Sequence, residues 1–155
     1  MDAHAGVGLL DDGPVKRMIT AANRHDLDAM LAEFSPDYEN VTPIHPAQSF
    51  TGSAQVRRNW ESLFAGIPDL RLTVHNATTA KDGTVWMEWS SAGTRRDGTP
   101  VEMAGVAIFT VRDDQIAGVH FYLEPVDHSA RDVDAAVQGT THLPPARVLA
   151  GGEPR

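Results

Sequence analysis

Residues 118–127, GVHFYLEPVD, set His120, Tyr122 and Glu124 at alternate positions, interleaved with Val119, Phe121 and Leu123. Successive side chains of an extended strand point to opposite faces. The run therefore offers an acid–base triplet on one face and plain hydrocarbon on the other. Imidazole titrates near ~6.5 and a glutamate near ~4.3, so His120 with Glu124 suits proton transfer at neutral pH. Whichever set faces the interior decides whether a cavity there contains a titrating group.

Three further groups have chemistry to offer. Tyr38-Glu39-Asn40 puts a phenol and an amide two residues apart, able to hold a water or a carbonyl by hydrogen bonds. The alternative is a tyrosine packed in the core with its hydroxyl satisfied by Asn40. His45, in Thr42-Pro43-Ile44-His45-Pro46, sits in an irregular segment expected to border a cavity mouth, as a general base or as an ordinary loop histidine. Trp60, Phe64, Trp89 and Phe121 are either an aromatic wall for a flat substrate or simple core packing. Metal ligation is not expected, because none of the seven histidines pairs at i, i+4. No glycine-rich phosphate loop or nucleophile elbow is present either, and no cofactor is expected.

These residues need elements to position them. Val15, Met18, Ile19 and Ala22 recur at helical spacing behind Pro14, a residue suited to a first turn. Asp26 can cap a second short helix carrying Leu27, Met30, Leu31 and Phe34, which Ser35-Pro36 stops. A third helix is expected from near Ser53, with the stripe Val56, Trp60, Leu63, Phe64 and Ile67. From Leu70 the period falls to two. Extended runs 70–79, 84–94, 101–112 and 115–126 are separated by the turn sequences Lys81-Asp82-Gly83, Arg96–Pro100 and Asp113-Asp114. Short links between consecutive strands imply an antiparallel meander, so the expected fold is α+β, with three N-terminal helices in the concave face of a curved antiparallel sheet. Residues 13–127 form the domain, 1–12 a flexible lead, and 128–155 a mostly flexible extension with one short helix near 132–137.

Composition limits the function classes. The chain of 155 residues, 41% hydrophobic and 22% charged, fits a single globular domain. A formal net charge of −8 argues against nucleic-acid binding, which rewards clustered Lys and Arg. No apolar run approaches the ~18 residues of a membrane span, no signal peptide is evident and cysteine is absent. A cytoplasmic protein without membrane partners is expected.

Three helices followed by a curled meander resemble the nuclear transport factor 2-like superfamily. The word HDLDAMLAEFSPDYE resembles that superfamily's first-helix ending, and SFTGSAQVRRNWESLFAGIPDLRLTV and AIFTVRDDQIAGVHFY resemble its SnoaL-like branch, the whole resemblance spanning roughly residues 14–126. The resemblance implies an apolar cone enclosed by helices and sheet, containing a few polar groups. Tyr38-x-Asn40 is similar to the water-holding pair of limonene-epoxide-hydrolase-like relatives. Their second-strand Arg-x-Asp aligns with Trp89 and Ser91, and their last-strand aspartate with Phe121. The aspartate base of SnoaL-like polyketide cyclases also aligns with Phe121. Every charged member is thus replaced.

The same alignment turns Val119, Phe121 and Leu123 inward and His120, Tyr122 and Glu124 outward. Parity then puts Met87, Trp89 and Ser91 inward on one strand, with Met103 and Gly105 inward on the next. An inward polar triplet would strand its charges at a cost of ~1–3 kcal/mol or more each. A bulge before Phe121 would invert this parity. The pocket residues are accordingly Trp60, Phe64, Met87, Trp89, Ser91, Met103, Gly105, Val119, Phe121 and Leu123, and the candidate catalytic residues Tyr38, Asn40 and His45. The expected ligand is a small hydrophobic molecule, and the expected activity a cofactor-independent cyclase or isomerase of a polyketide- or terpenoid-like compound. A non-catalytic carrier or sensor is the alternative, and an epoxide hydrolase fits least. The outward row Trp86, Val106, Ile108 and Tyr122 suggests a homodimer through the outer sheet face.

Overall fold

The computed structural model describes residues 5–144. Helices α1 (Pro14–Asn23), α2 (Leu27–Leu31) and α3 (Ser53–Gly66) cover one face of a six-stranded sheet. Its strands are β1 (Phe34–Val41), β2 (Phe50–Thr51), β3 (Arg71–Thr79), β4 (Val85–Thr94), β5 (Pro100–Arg112) and β6 (Gln115–Pro125), with α4 (Val133–Thr141) following.

The last four strands form the expected meander, and the sheet order is β2-β1-β6-β5-β4-β3. The sheet as a whole is mixed, not antiparallel. β1 pairs with β6 in parallel and with β2 antiparallel, where the sequence carried the second helix to Phe34, stopped it at Ser35-Pro36 and marked no strand. Pro36 explains the difference: it cannot donate to a ladder, and the β1–β6 register shifts between Phe34 and Glu39, around it. Pairing on both sides makes the segment a strand despite its proline and acids.

Local chemistry fixes the turns. Asp113 and Asp114 both take positive φ (51° and 56°), the backbone of a tight two-residue hairpin. Arg17 clasps that turn, donating to Asp114 Oδ2 at 3.0 Å while also holding Glu33. In the other two hairpin turns Asp82 and Asp97 accept from the backbone N–H groups of Thr84 and Thr99. His25, at φ 54°, closes α1 in a conformation usually left to glycine. Its ring compensates by stacking on Phe64 at 4.3 Å and bonding the Leu70 carbonyl at 2.8 Å, joining the α1–α2 turn to α3 and β3.

The core lies between helices and sheet, with Ile19, Met30, Leu72, Met87 and Ile116 fully buried. Residues 5–12 were expected to be a flexible lead, yet 5–10 pack: the Val74 N–H donates to Ala5 O at 2.7 Å and Leu10 is buried. Residues 1–4 and the tail beyond 144 lie outside the described residues. The extension does contain a helix, α4, capped by Asp132 accepting from the Ala135 N–H at 2.9 Å. None of its residues is buried. No helix among the described residues is long and apolar enough to cross a membrane.

Candidate functional site

The register decides the parity of β6. Phe121 lies opposite Ala107, Leu123 opposite Gly105 and Val119 opposite Phe109. Ala107 and Gly105 in turn face Met87 and Trp89 across β4. These residues form the sheet face under the helices. His120 and Glu124 are exposed, and Tyr122 is half-buried on the same outer side. A bulge does interrupt β6, where Thr110 pairs with Gly118 but Val111 with Ile116. It lies at Ala117, and from Gly118 onward the strand alternates without interruption.

Helices and inner sheet face enclose a cavity of about 880 Å³. Its floor is formed by Ile19, Met30, Leu72 and Met87. The exposed lining residues mark its mouth: Gln48, Asn59, Ser62, Leu63 and Gly66, with Arg95, Arg96 and Asp97 of the β4–β5 turn. The Arg96 guanidinium donates to Ala65 O at 2.6 Å, tying that turn to the end of α3.

One wall is polar. The Tyr38 hydroxyl donates to Asn40 Oδ1 at 3.0 Å, and Asn40 Nδ2 donates to Thr42 Oγ1 at 3.0 Å. Tyr38 and Asn40 of β1 and Thr42 just beyond its end stand at alternate positions, so all three side chains reach the cavity. The Thr42 N–H is fixed in turn by Ser49 Oγ. Tyr38 is 4% exposed, and burial pushes its phenol well above the ordinary range, so it is a neutral donor at physiological pH. Farther along the sheet the lining is aromatic. Trp89 and Phe121 meet edge-on at 5.7 Å, and Trp60 contributes from α3.

Most of the residues singled out in the sequence come together here. Tyr38, Asn40, Trp60, Met87, Trp89, Ser91, Met103, Val119, Phe121 and Leu123 line the cavity. Three do not. Phe64 turns to His25 and packs against it. Gly105 sits on the inner face but adds no lining surface, because β6 crosses so closely that a Cβ there would fall 1.7 Å from Tyr122 O. His45, expected at the mouth, instead bonds Glu124 Oε1 through Nε2 at 2.6 Å on the outer side. Glu124 therefore has the partner that the sequence did not reveal. His128 and Glu102 form a second exposed pair of this kind at 2.8 Å.

Sequence reasoning missed the floor residues from α1 and α2 and the mouth residues Arg95, Arg96 and Asp97. Helical spacing marked Ile19 and Met30 as core but could not show that the core is hollow. Among the cavity-lining residues the titratable ones are Tyr38, Arg95, Arg96 and Asp97. Among the described residues no group of three or more His, Asp or Glu is placed to hold a metal ion.

Residues 15–119 match the family described as a SnoaL-like domain. No curated protein matches the chain. Solved structures share its fold. AclR, a putative hydroxylase from Streptomyces galilaeus, is 20% identical, with a TM-score of 0.62 over 72% of this chain and 86% of that one. A putative polyketide cyclase from Xanthomonas campestris pv. campestris is 25% identical, with a TM-score of 0.57 over 69% of this chain and 84% of its own. An NTF2-like protein of unknown function from Exiguobacterium is 17% identical, with a TM-score of 0.61 over 74% and 98%.

Proposed function

The chain belongs to the SnoaL-like domain family of the nuclear transport factor 2-like superfamily, and from that premise we propose that its cavity binds a small hydrophobic molecule of polyketide or terpenoid type. The observation that carries this reading is the lining. A volume of about 880 Å³ bounded by hydrocarbon and aromatic rings, with one fixed polar wall, is the usual form of a small-molecule site. Similarity to a putative polyketide cyclase supports the substrate class.

The activity that fits is a cofactor-independent cyclisation or isomerisation. Tyr38 would polarise a substrate oxygen as a neutral donor by turning its one proton from Asn40 to the substrate, with Asn40 holding the hydroxyl in place until then. The aromatic wall would hold a flexible chain folded, supplying rate through positioning. His45 has no part in this chemistry, since its ring is engaged by Glu124 away from the cavity. A second reading, a non-catalytic carrier or sensor, is favoured by one observation: every titratable lining residue except Tyr38 stands at the exposed mouth.

A thermal-shift screen with aromatic and terpenoid compounds tests the binding. A ligand at a hundredfold excess over its Kd adds ~2.7 kcal/mol of stability. Failure of every compound to raise Tm contradicts the reading. Incubation with the best-stabilising compounds then separates the two roles, since the enzyme forms product and loses rate in Tyr38→Phe, whereas the carrier returns its ligand unchanged.

A homodimer is a further part of this proposal. Trp86 pairs with Ile108 and Val106 with Tyr122 on the outer face, and Trp86 is 45% exposed. A second copy of the same sheet would cover this row.

A further inference from the structure

Trp89 is 5% exposed, and its indole N–H is buried with no hydrogen-bond partner. The chain solves the same problem elsewhere. Trp86, two residues later than Thr84, donates its indole N–H to the Thr84 hydroxyl at 3.0 Å. Ser91 stands two residues from Trp89 on the same face and also lines the cavity, yet accepts nothing from it. An unpaired buried donor costs about 1–3 kcal/mol. Here the uncompensated group belongs to the cavity wall.

The polar wall is bonded within itself. The Tyr38 hydroxyl is given to Asn40, and the Asn40 amide to Thr42. Among the described lining residues the Trp89 indole is the buried donor without a partner. Phe121, half-buried and edge-on to the indole at an interplanar angle of 65°, is its aromatic neighbour in the wall.

We infer that Trp89 is a specificity-determining residue, and that the ligand carries a carbonyl oxygen that accepts the indole N–H. This rests on the cavity being the binding site and narrows the class of molecule it takes. A hydrocarbon of the same shape would leave the donor unpaired, so the site discriminates between the two.

The matched probes 9-fluorenone and fluorene differ in having a carbonyl or a methylene at one position. Isothermal titration should show wild type binding fluorenone about tenfold more tightly. In Trp89→Phe, which keeps a ring and removes the donor, that ratio should fall to about one. The wild-type protein gives an independent readout: the Trp89 indole N–H resonance should move downfield with fluorenone and not with fluorene, while that of Trp86 stays in place. Equal binding of the two probes, a ratio unchanged in the variant, or an unmoved Trp89 resonance on fluorenone binding overturns the inference while leaving the cavity's role intact. Binding of neither probe overturns the inference, and only failure of the whole thermal-shift screen overturns the cavity's role as well.

Discussion

Replacing Tyr38 by Phe removes one hydroxyl from the polar wall, and the structure fixes both the size and the pH dependence of the effect. At pH 7 the loss is one hydrogen bond, Tyr38 to Asn40 at 3.0 Å. Because Asn40 faces a cavity and is only half-buried, its oxygen can find another donor, so the cost should be about 1 kcal/mol. Burial raises the phenol's folded pKa well above its unfolded value, and the sign follows from proton counting. Above pH ~10 the unfolded chain releases the Tyr38 proton while the folded chain keeps it, so wild-type stability falls with rising pH. That loss is ~1.4 kcal/mol by pH ~11, and Tyr38→Phe is free of it. The two stability curves should therefore converge above pH 10 and cross near pH ~10.7. Urea denaturation of both proteins from pH 7 to 11 measures this. Curves that stay parallel to pH 11 would refute the buried, hydrogen-bonded phenol and the neutral donor built on it.

Gly105→Ala should destabilise by several kcal/mol, or prevent folding, because its Cβ would fall 1.7 Å from the Tyr122 carbonyl; a Tm within a few degrees of wild type contradicts this. His25→Ala should cost about 1–2 kcal/mol by losing the Phe64 stack and the Leu70 bond, and a urea midpoint equal to wild type would show that this link contributes nothing. Trp86→Glu should shift the sedimentation coefficient to that of a monomer without changing cavity binding; a wild type that already sediments as a monomer contradicts the outer-face dimer. His45→Ala should leave any turnover at the wild-type rate, since the imidazole is bonded to Glu124 outside the cavity, and a tenfold loss of kcat would return it to the chemistry.

The strands from Leu70 onward were legible because each is a long period-two run bounded by its own turn residues; the turns at Asp82 and Asp97 rest on local bonds and that at Asp113-Asp114 on its backbone conformation. β1 was not. Its identity as a strand comes from β6 and β2, distant in sequence, and Pro36 disguised it. The inward face of β6 could be argued because three hydrocarbon and three ionisable side chains alternate, which makes one orientation much cheaper than the other. Even so, the local pattern could not locate the bulge at Ala117, on which the argument depended. His45 and Phe64 were misplaced for the same reason: each is held by a partner, Glu124 or His25, that no spacing in the chain connects to it. The hollow inside the core was implied only by resemblance, since periodicity marks a side chain as inward without saying what it meets.

The central claim is that β6 presents Val119, Phe121 and Leu123, and not His120, Tyr122 and Glu124, to a molecule bound in the cavity. Intermolecular NOEs between the best-stabilising compound of the thermal screen and the side chains of β6 measure this directly. The account predicts contacts to the Val119 and Leu123 methyls and the Phe121 ring, with none to His120 or Tyr122. Contacts to the imidazole of His120 or the ring of Tyr122 would contradict it.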